Sequence, residues 1–169
     1  LSSVRAAAKR AAKREDELIL YGNDSLSLQG LMNASGSYHI KMKDWNQGEN
    51  AFINVAEGIS HLFSAGCQGR KALVVSPDLY LALQRLQQSA GMLESDRIKK
   101  LIDGHILPLG DFGTGKAVLV CAEPEYMDLA LGMDFSIGYS EMKDFNHVFR
   151  LMETAALRIK NPEAIVVFE

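Results

Sequence analysis

The stretch of this sequence that comes nearest to chemistry is a glycine-rich run, Gly110-Asp-Phe-Gly-Thr-Gly-Lys116. Its seven positions match the start of a phosphate-binding loop, in which backbone N–H groups cradle phosphate and the lysine reaches the terminal phosphates. The match then fails twice. Ala117 stands where Ser or Thr would ligate a metal, and Val118-Leu-Val120 predicts a strand where the anion needs a helix amino terminus. A hairpin-like glycine turn between strands fits better. Asp111-Phe-Gly113 matches a kinase metal motif, but no other kinase signature accompanies it. His39, His61, His105 and His147 include no pair one helical turn apart, so no metal site is predicted. Tyr38 and Trp45 flank Lys41 and Lys43, a mix that reads as an exposed loop. No catalytic residues and no cofactor are predicted, and a small α/β enzyme would need an acid–base site that the spacing does not supply.

Composition narrows the class. With 169 residues, 47% of them hydrophobic, the chain can bury a core as one compact domain, or one plus an extension. A net charge of −3 gives no overall pull towards nucleic acid or an anionic membrane. Cys67 and Cys121 are too few for a disulfide framework, which fits a reducing cytoplasm. No apolar run reaches membrane-spanning length. The chain opens on Leu1 at a helix start, and a fragment of a longer polypeptide is expected.

The elements follow from periodicity and punctuation. Ser2 or Ser3 caps a helix to about Tyr21, stopped by Gly22, with a flat alanine-rich face suited to close packing. Its basic run (Arg5, Lys9, Arg10, Lys13, Arg14) precedes Glu15-Asp-Glu17, so a solvated face is preferred to a nucleic-acid arm. That charge order opposes the helix dipole, and compensation is expected from outside the helix, as from a neighbouring subunit. Gly30-Leu-Met32 reads as a buried anchor. A helix spans about 49–64, a strand 72–75, and Ser76-Pro-Asp78 starts a helix running to about Gln88. Residues 89–93 read as a loop and 94–102 as a helix ended by Gly104, followed by strands at 105–109 and 117–121.

At the carboxyl end, a strand over 129–133 enters a turn containing Gly138, and a second extended run covers 146–152. Phe145, His147, Phe149 and Leu151 share one side of that run, and Val148, Arg150 and Met152 the other. Antiparallel pairing of these runs is predicted, with a break at Lys160-Asn-Pro162 and a final strand over 164–168.

Five segments then carry a resemblance. Glu15-Asp-Glu-Leu-Ile-Leu-Tyr-Gly22, Gly30-Leu-Met32, Leu73-Val-Val-Ser-Pro-Asp-Leu79, Gly132-Met-Asp-Phe-Ser-Ile-Gly-Tyr139, and Glu153-Thr154 with Asn161-Pro-Glu-Ala-Ile165 resemble, in order, segments of the encapsulin (linocin-type) shell proteins. The resemblance implies an α+β chain of the tailed-phage major capsid fold (Hong Kong 97 type). Residues 1–48 and 129–169 would form part of its peripheral domain, and residues 49–128 its axial domain. It also implies a structural subunit of an icosahedral shell in the cytoplasm. Its partners would be copies of itself and a cargo enzyme (a dye-decolourising peroxidase or a ferritin-like protein) held through a short carboxyl-terminal peptide. Neither a membrane nor nucleic acid is an expected partner. A phage or prophage capsid subunit packaging DNA is the alternative. The arm and extended hairpin that family members carry before this helix are missing here, so residues 1–169 alone are not expected to build shells.

Two sites follow from the resemblance. Asp134, Ile137 and Tyr139 would bind the cargo peptide, as a carboxylate for Lys or Arg, an apolar contact and a polar-tipped ring; shaping a turn is the competing reading. Gly91, Glu94, Asp96 and Arg97 belong to the loop that would line a pore and bias ion entry, or to an ordinary solvated loop.

Overall fold

The computed structural model describes residues 2–87 and 91–169. In chain order it runs α1 (Ser2–Tyr21), β1 (Tyr38–Ile40), α2 (Asn50–Ser64), β2 (Lys71–Val75), α3 (Pro77–Ala82), β3 (Leu86–Gln87), β4 (Met92–Leu93), α4 (Glu94–Ile102), β5 (Gly104–Pro108), β6 (Ala117–Cys121), β7 (Met127–Lys143), β8 (Asn146–Ile159) and β9 (Ile165–Phe168). A five-stranded mixed sheet, ordered β1-β9-β6-β2-β5, forms the centre, and β7–β8 form a separate long hairpin.

The sheet is apolar because it is covered. Every residue of β6 and β9 is buried, as expected of continuous Val/Ile/Leu runs. Helix α2 seats its apolar stripe on them. A Cβ added at Gly58 would lie 3.1 Å from Leu119 and 3.3 Å from Phe168, so glycine sets how closely helix and sheet approach. Trp45 is not in an exposed loop. It is buried edge-on against Phe168, and its Nε1–H donates to Asn54 Oδ1 at 3.0 Å. Asn54 on α2 supplies the one acceptor that lets an indole enter the core.

Helix α1 ends as its sequence predicts, with Gly22 at φ 71° and its N–H on the Leu18 carbonyl at 2.8 Å. The Gly30-Leu-Met32 anchor then has a mechanism. Leu31 and Met32 donate their N–H groups to the Ile19 and Leu20 carbonyls at 2.9 and 2.8 Å, which satisfies acceptors that a helix end leaves orphaned. Leu31 is buried beneath them.

Several expectations need correction. Helix α3 stops at Ala82, and Leu86–Gln87 turn back to pair with Met92–Leu93; Gln88, Ser89 and Ala90 lie outside the described residues. Helix α4 is ended by Asp103 at φ 47°. Gly104 instead enters β5 at a point where a Cβ would meet the Lys71 carbonyl oxygen. Strands β5 and β6 are not a hairpin, because β2 lies between them. The glycine-rich loop crosses the end of β2 instead, pinned by buried Phe112. Its Gly115 N–H donates to Asp78 at 2.9 Å, and Lys116 Nζ reaches Tyr21 Oη at 3.0 Å. A phosphate cradle would need those groups free.

The largest correction is at the hairpin. Gly138 is no turn; it pairs with Arg150 in mid-strand. The chain reverses at Asp144 and Phe145, both left-handed at φ 51° and 59°, as a two-residue hairpin loop requires. Register shifts after Leu131, Met133 and Tyr139 accommodate extra residues of β7 as bulges. The antiparallel pairing of the two runs is as predicted.

Candidate functional site

Helix α1 runs along β8 without collapsing onto the hairpin. The helix presents Val4, Ala7 and Ala8, spaced to share one face and too small to fill the gap. From the hairpin come Ile137, His147, Phe149 and Leu151. They share a face because Ile137 pairs with Leu151, Tyr139 with Phe149 and Met142 with His147. The gap is an open apolar groove of about 250 Å³. Farther along α1 it continues into a wider cavity of about 440 Å³, where Ala11, Leu18, Phe135 and Leu151 meet Glu15 and Glu153.

The three predicted peptide-binding residues lie on this hairpin in different settings. Ile137 lines the groove and is 64% exposed. Tyr139 is 59% exposed and packs edge-on against Phe149, with ring centroids 5.8 Å apart. Asp134 sits at the bulge and accepts the Phe135 N–H at 2.7 Å, so it does shape the backbone there. It also contributes to a negative corner. Burial, then the charges of Glu15 and Asp134, push the Glu153 carboxyl above its ordinary range. Such a corner favours a cation. Sequence alone does not mark the apolar wall from Phe135, Phe149 and the helix as a site, although the grouping of His147, Phe149 and Leu151 on one side is legible in it.

The four pore-loop residues separate. Glu94 is fully buried; its carboxylate accepts the Phe52 N–H in the first turn of α2 at 3.2 Å and a bond from Gln87. Arg97 donates to Glu49 at 2.7 Å and lies 4.3 Å over the Phe52 ring. Both charges are thus committed to holding the start of α2, which corrects the expectation that Glu94 faces solvent. Asp96 remains exposed, and Gly91 supplies the left-handed turn at φ 64°.

Among the described residues, no group of three or more His, Cys, Asp or Glu side chains could hold a metal, and no helix is long and apolar enough to cross a membrane. Cys67 and Cys121 are buried and free, with both thiols pushed upward, first by burial.

Comparison with known proteins bears on what this architecture is. The Linocin_M18 family, described as "Encapsulating protein for peroxidase", matches residues 1–156. The type 1 encapsulin shell protein EncA of Myxococcus xanthus is 36% identical over the whole chain, which covers 59% of that protein. A diheme-cytochrome-encapsulin shell fusion protein of Kuenenia stuttgartiensis is 34% identical, again over the whole chain, which covers 47% of it. The chain therefore spans about half the length of the curated relatives it matches. Among solved structures, a virus-like particle from Pyrococcus furiosus superimposes with a TM-score of 0.78 at 21% identity, covering 92% of this chain and 62% of that one. The capsid of Myoviridae phage XM1 gives 0.77 at 16% identity, covering 99% of this chain and 63% of that one. The second pair shows the fold alone, that of the tailed-phage capsid (Hong Kong 97 type). Combined with the family match over nearly the whole chain, it leads to one conclusion: this chain belongs to the encapsulin family.

Proposed function

We propose that the full-length protein is a structural shell subunit that self-assembles into a closed icosahedral compartment in the cytoplasm and takes in a cargo enzyme. The observation that carries the cargo half is the open groove between α1 and the hairpin. An unfilled apolar channel beside a negative corner suits an extended peptide bearing Leu or Ile and a Lys or Arg. Ile137 and Phe135 give the apolar contact, Tyr139 a ring with a polar tip, and Asp134 with Glu153 the negative charge. Two relatives are fusions of a shell to a diheme cytochrome or a ferritin-like protein, which supports redox or iron-handling enzymes as cargo, with a peroxidase equally in keeping with the family description. No turnover by the shell itself is proposed.

The two-domain reading is kept with a shifted boundary. β1 and β9 are hydrogen-bonded into the central sheet, so the peripheral part is best drawn as α1 with the hairpin and the axial part as the sheet with its helices. A pore role is proposed for the turn at Gly91 and for Asp96, exposed in the first turn of α4 that follows it. The capsid fold is shared with DNA-packaging phages and does not separate the readings; the family match favours the compartment.

The test is cargo co-purified with full-length shells carrying Ile137→Asp or Tyr139→Ala, with electron microscopy to show that shells still form. Loading is expected to fall at least tenfold for Ile137→Asp. Normal loading in both variants would remove this groove as the cargo site.

A further inference from the structure

Phe145 is 100% exposed at the tip of the longest hairpin in the chain, in a left-handed conformation that bulky side chains rarely adopt. Such a cost persists where a side chain must be presented. Phe145 does not line the groove of its own chain, although His147, two residues away, does.

A second feature stands unanswered on the helix side of the groove. Of the five basic residues in the first fourteen, Lys13 pairs with Asp111 and Arg14 with Glu17. Arg5, Lys9 and Arg10 are exposed and have no acidic partner within 4.0 Å among the described residues. They sit near the positive end of the helix dipole, where cations are unfavourable. The hairpin tip carries the opposite sign in Glu141 and Asp144 around Phe145, against one cation, Lys143.

We infer that the hairpin tip of one copy docks on the amino end of α1 in the next, with Phe145 entering the groove over Val4, Ala8 and Phe149, and Glu141 and Asp144 meeting Arg5 and Lys9. The sizes fit. An apolar cavity of about 150 Å³ accepts a benzene ring, and the groove offers about 250 Å³. Knob and hole are made of different residues of one chain, so the contact is head-to-tail and must close by rotation. One phenylalanine buries roughly 150–250 Å², well below the ~800 Å² per partner of a stable pair. It therefore holds only where many copies repeat it, as in a shell. Cargo peptide then has the part of the channel lined by Ile137, Phe135 and Leu18.

This contact rests on the shell reading, and the test keeps the two apart. Full-length Phe145→Cys and Val4→Cys proteins are assembled together without cargo and treated with diamide; Cys67 and Cys121 are buried and silent. A disulfide-linked dimer that forms only in the mixture is expected. Wild-type protein that forms no particles would sink the shell reading itself, whereas mixed shells without the cross-link would overturn the tip contact alone. Should the cysteine variants not assemble, yields are compared for Phe145→Leu and Phe145→Asp. Near-normal shells for Leu and at least a tenfold loss for Asp are expected, and equal yields would overturn the contact.

Discussion

Two carboxylates show how position decides what a charged residue does. Glu94 looks like a loop charge in the sequence, yet it is buried and caps α2 from another element. Glu94→Ala should cost about 2 kcal/mol in urea unfolding, since it removes a cap and strands a buried donor. Glu94→Gln keeps an acceptor and should lose less than half of that; two neutral variants would contradict the capping role. Asp128 lies at the base of the hairpin, bonded to Arg158 at 2.6 and 2.8 Å and to Lys160 at 2.7 Å. The Arg158 bond, then that of Lys160, hold its carboxyl at about 2 against an ordinary 3.8. A carboxyl depressed by folding stabilises the native state above its unfolded value and loses that contribution as pH falls through the folded one. The melting-temperature gap between wild type and Asp128→Asn should therefore be open at pH 7 and close between about pH 4 and pH 2. A gap that does not change with pH would show that the clamp contributes nothing.

At the scale of elements, helix α1 depends on the Gly30-Leu-Met32 segment that closes over its carboxyl end. A Cβ at Gly30 would lie 2.4 Å from the Leu20 carbonyl carbon and oxygen and from Tyr21 N. Gly30→Ala should thus cost on the order of 3 kcal/mol and raise amide exchange over residues 16–21, while an alanine at open Gly110 should be near neutral. Equal effects at the two positions would refute the anchor. Much at this scale is legible in the sequence. The bounds of α1, α2 and β6 follow from Gly22, the stripe from Phe52 to Phe63, and the run from Ala117 to Cys121. The hairpin turn is not, because Asp144-Phe145 lacks the glycine that usually marks a left-handed turn, and Gly138 draws attention to mid-strand. Trp45 and Glu94 read as exposed because their burial depends on partners, Phe168 and Phe52, distant in sequence. The peptide-site residues come from family resemblance. The helix wall that makes them a groove comes from the fold.

On the whole molecule, a chain that leaves Phe145, Phe149, Ile137, Tyr139 and Met142 exposed on one hairpin has apolar surface to cover. A two-stranded ribbon of this length gains stability from neighbours rather than from itself. Repetition around a closed surface meets both needs, through contacts too small to persist singly. Residues 1–169 alone, which span about half of their relatives, are expected to remain monomers or small oligomers. The most direct measurement is therefore electron microscopy, with sedimentation velocity, of the purified full-length protein. Closed hollow particles of tens of subunits are expected; a full-length protein that stays folded and monomeric at micromolar concentration would contradict the shell reading.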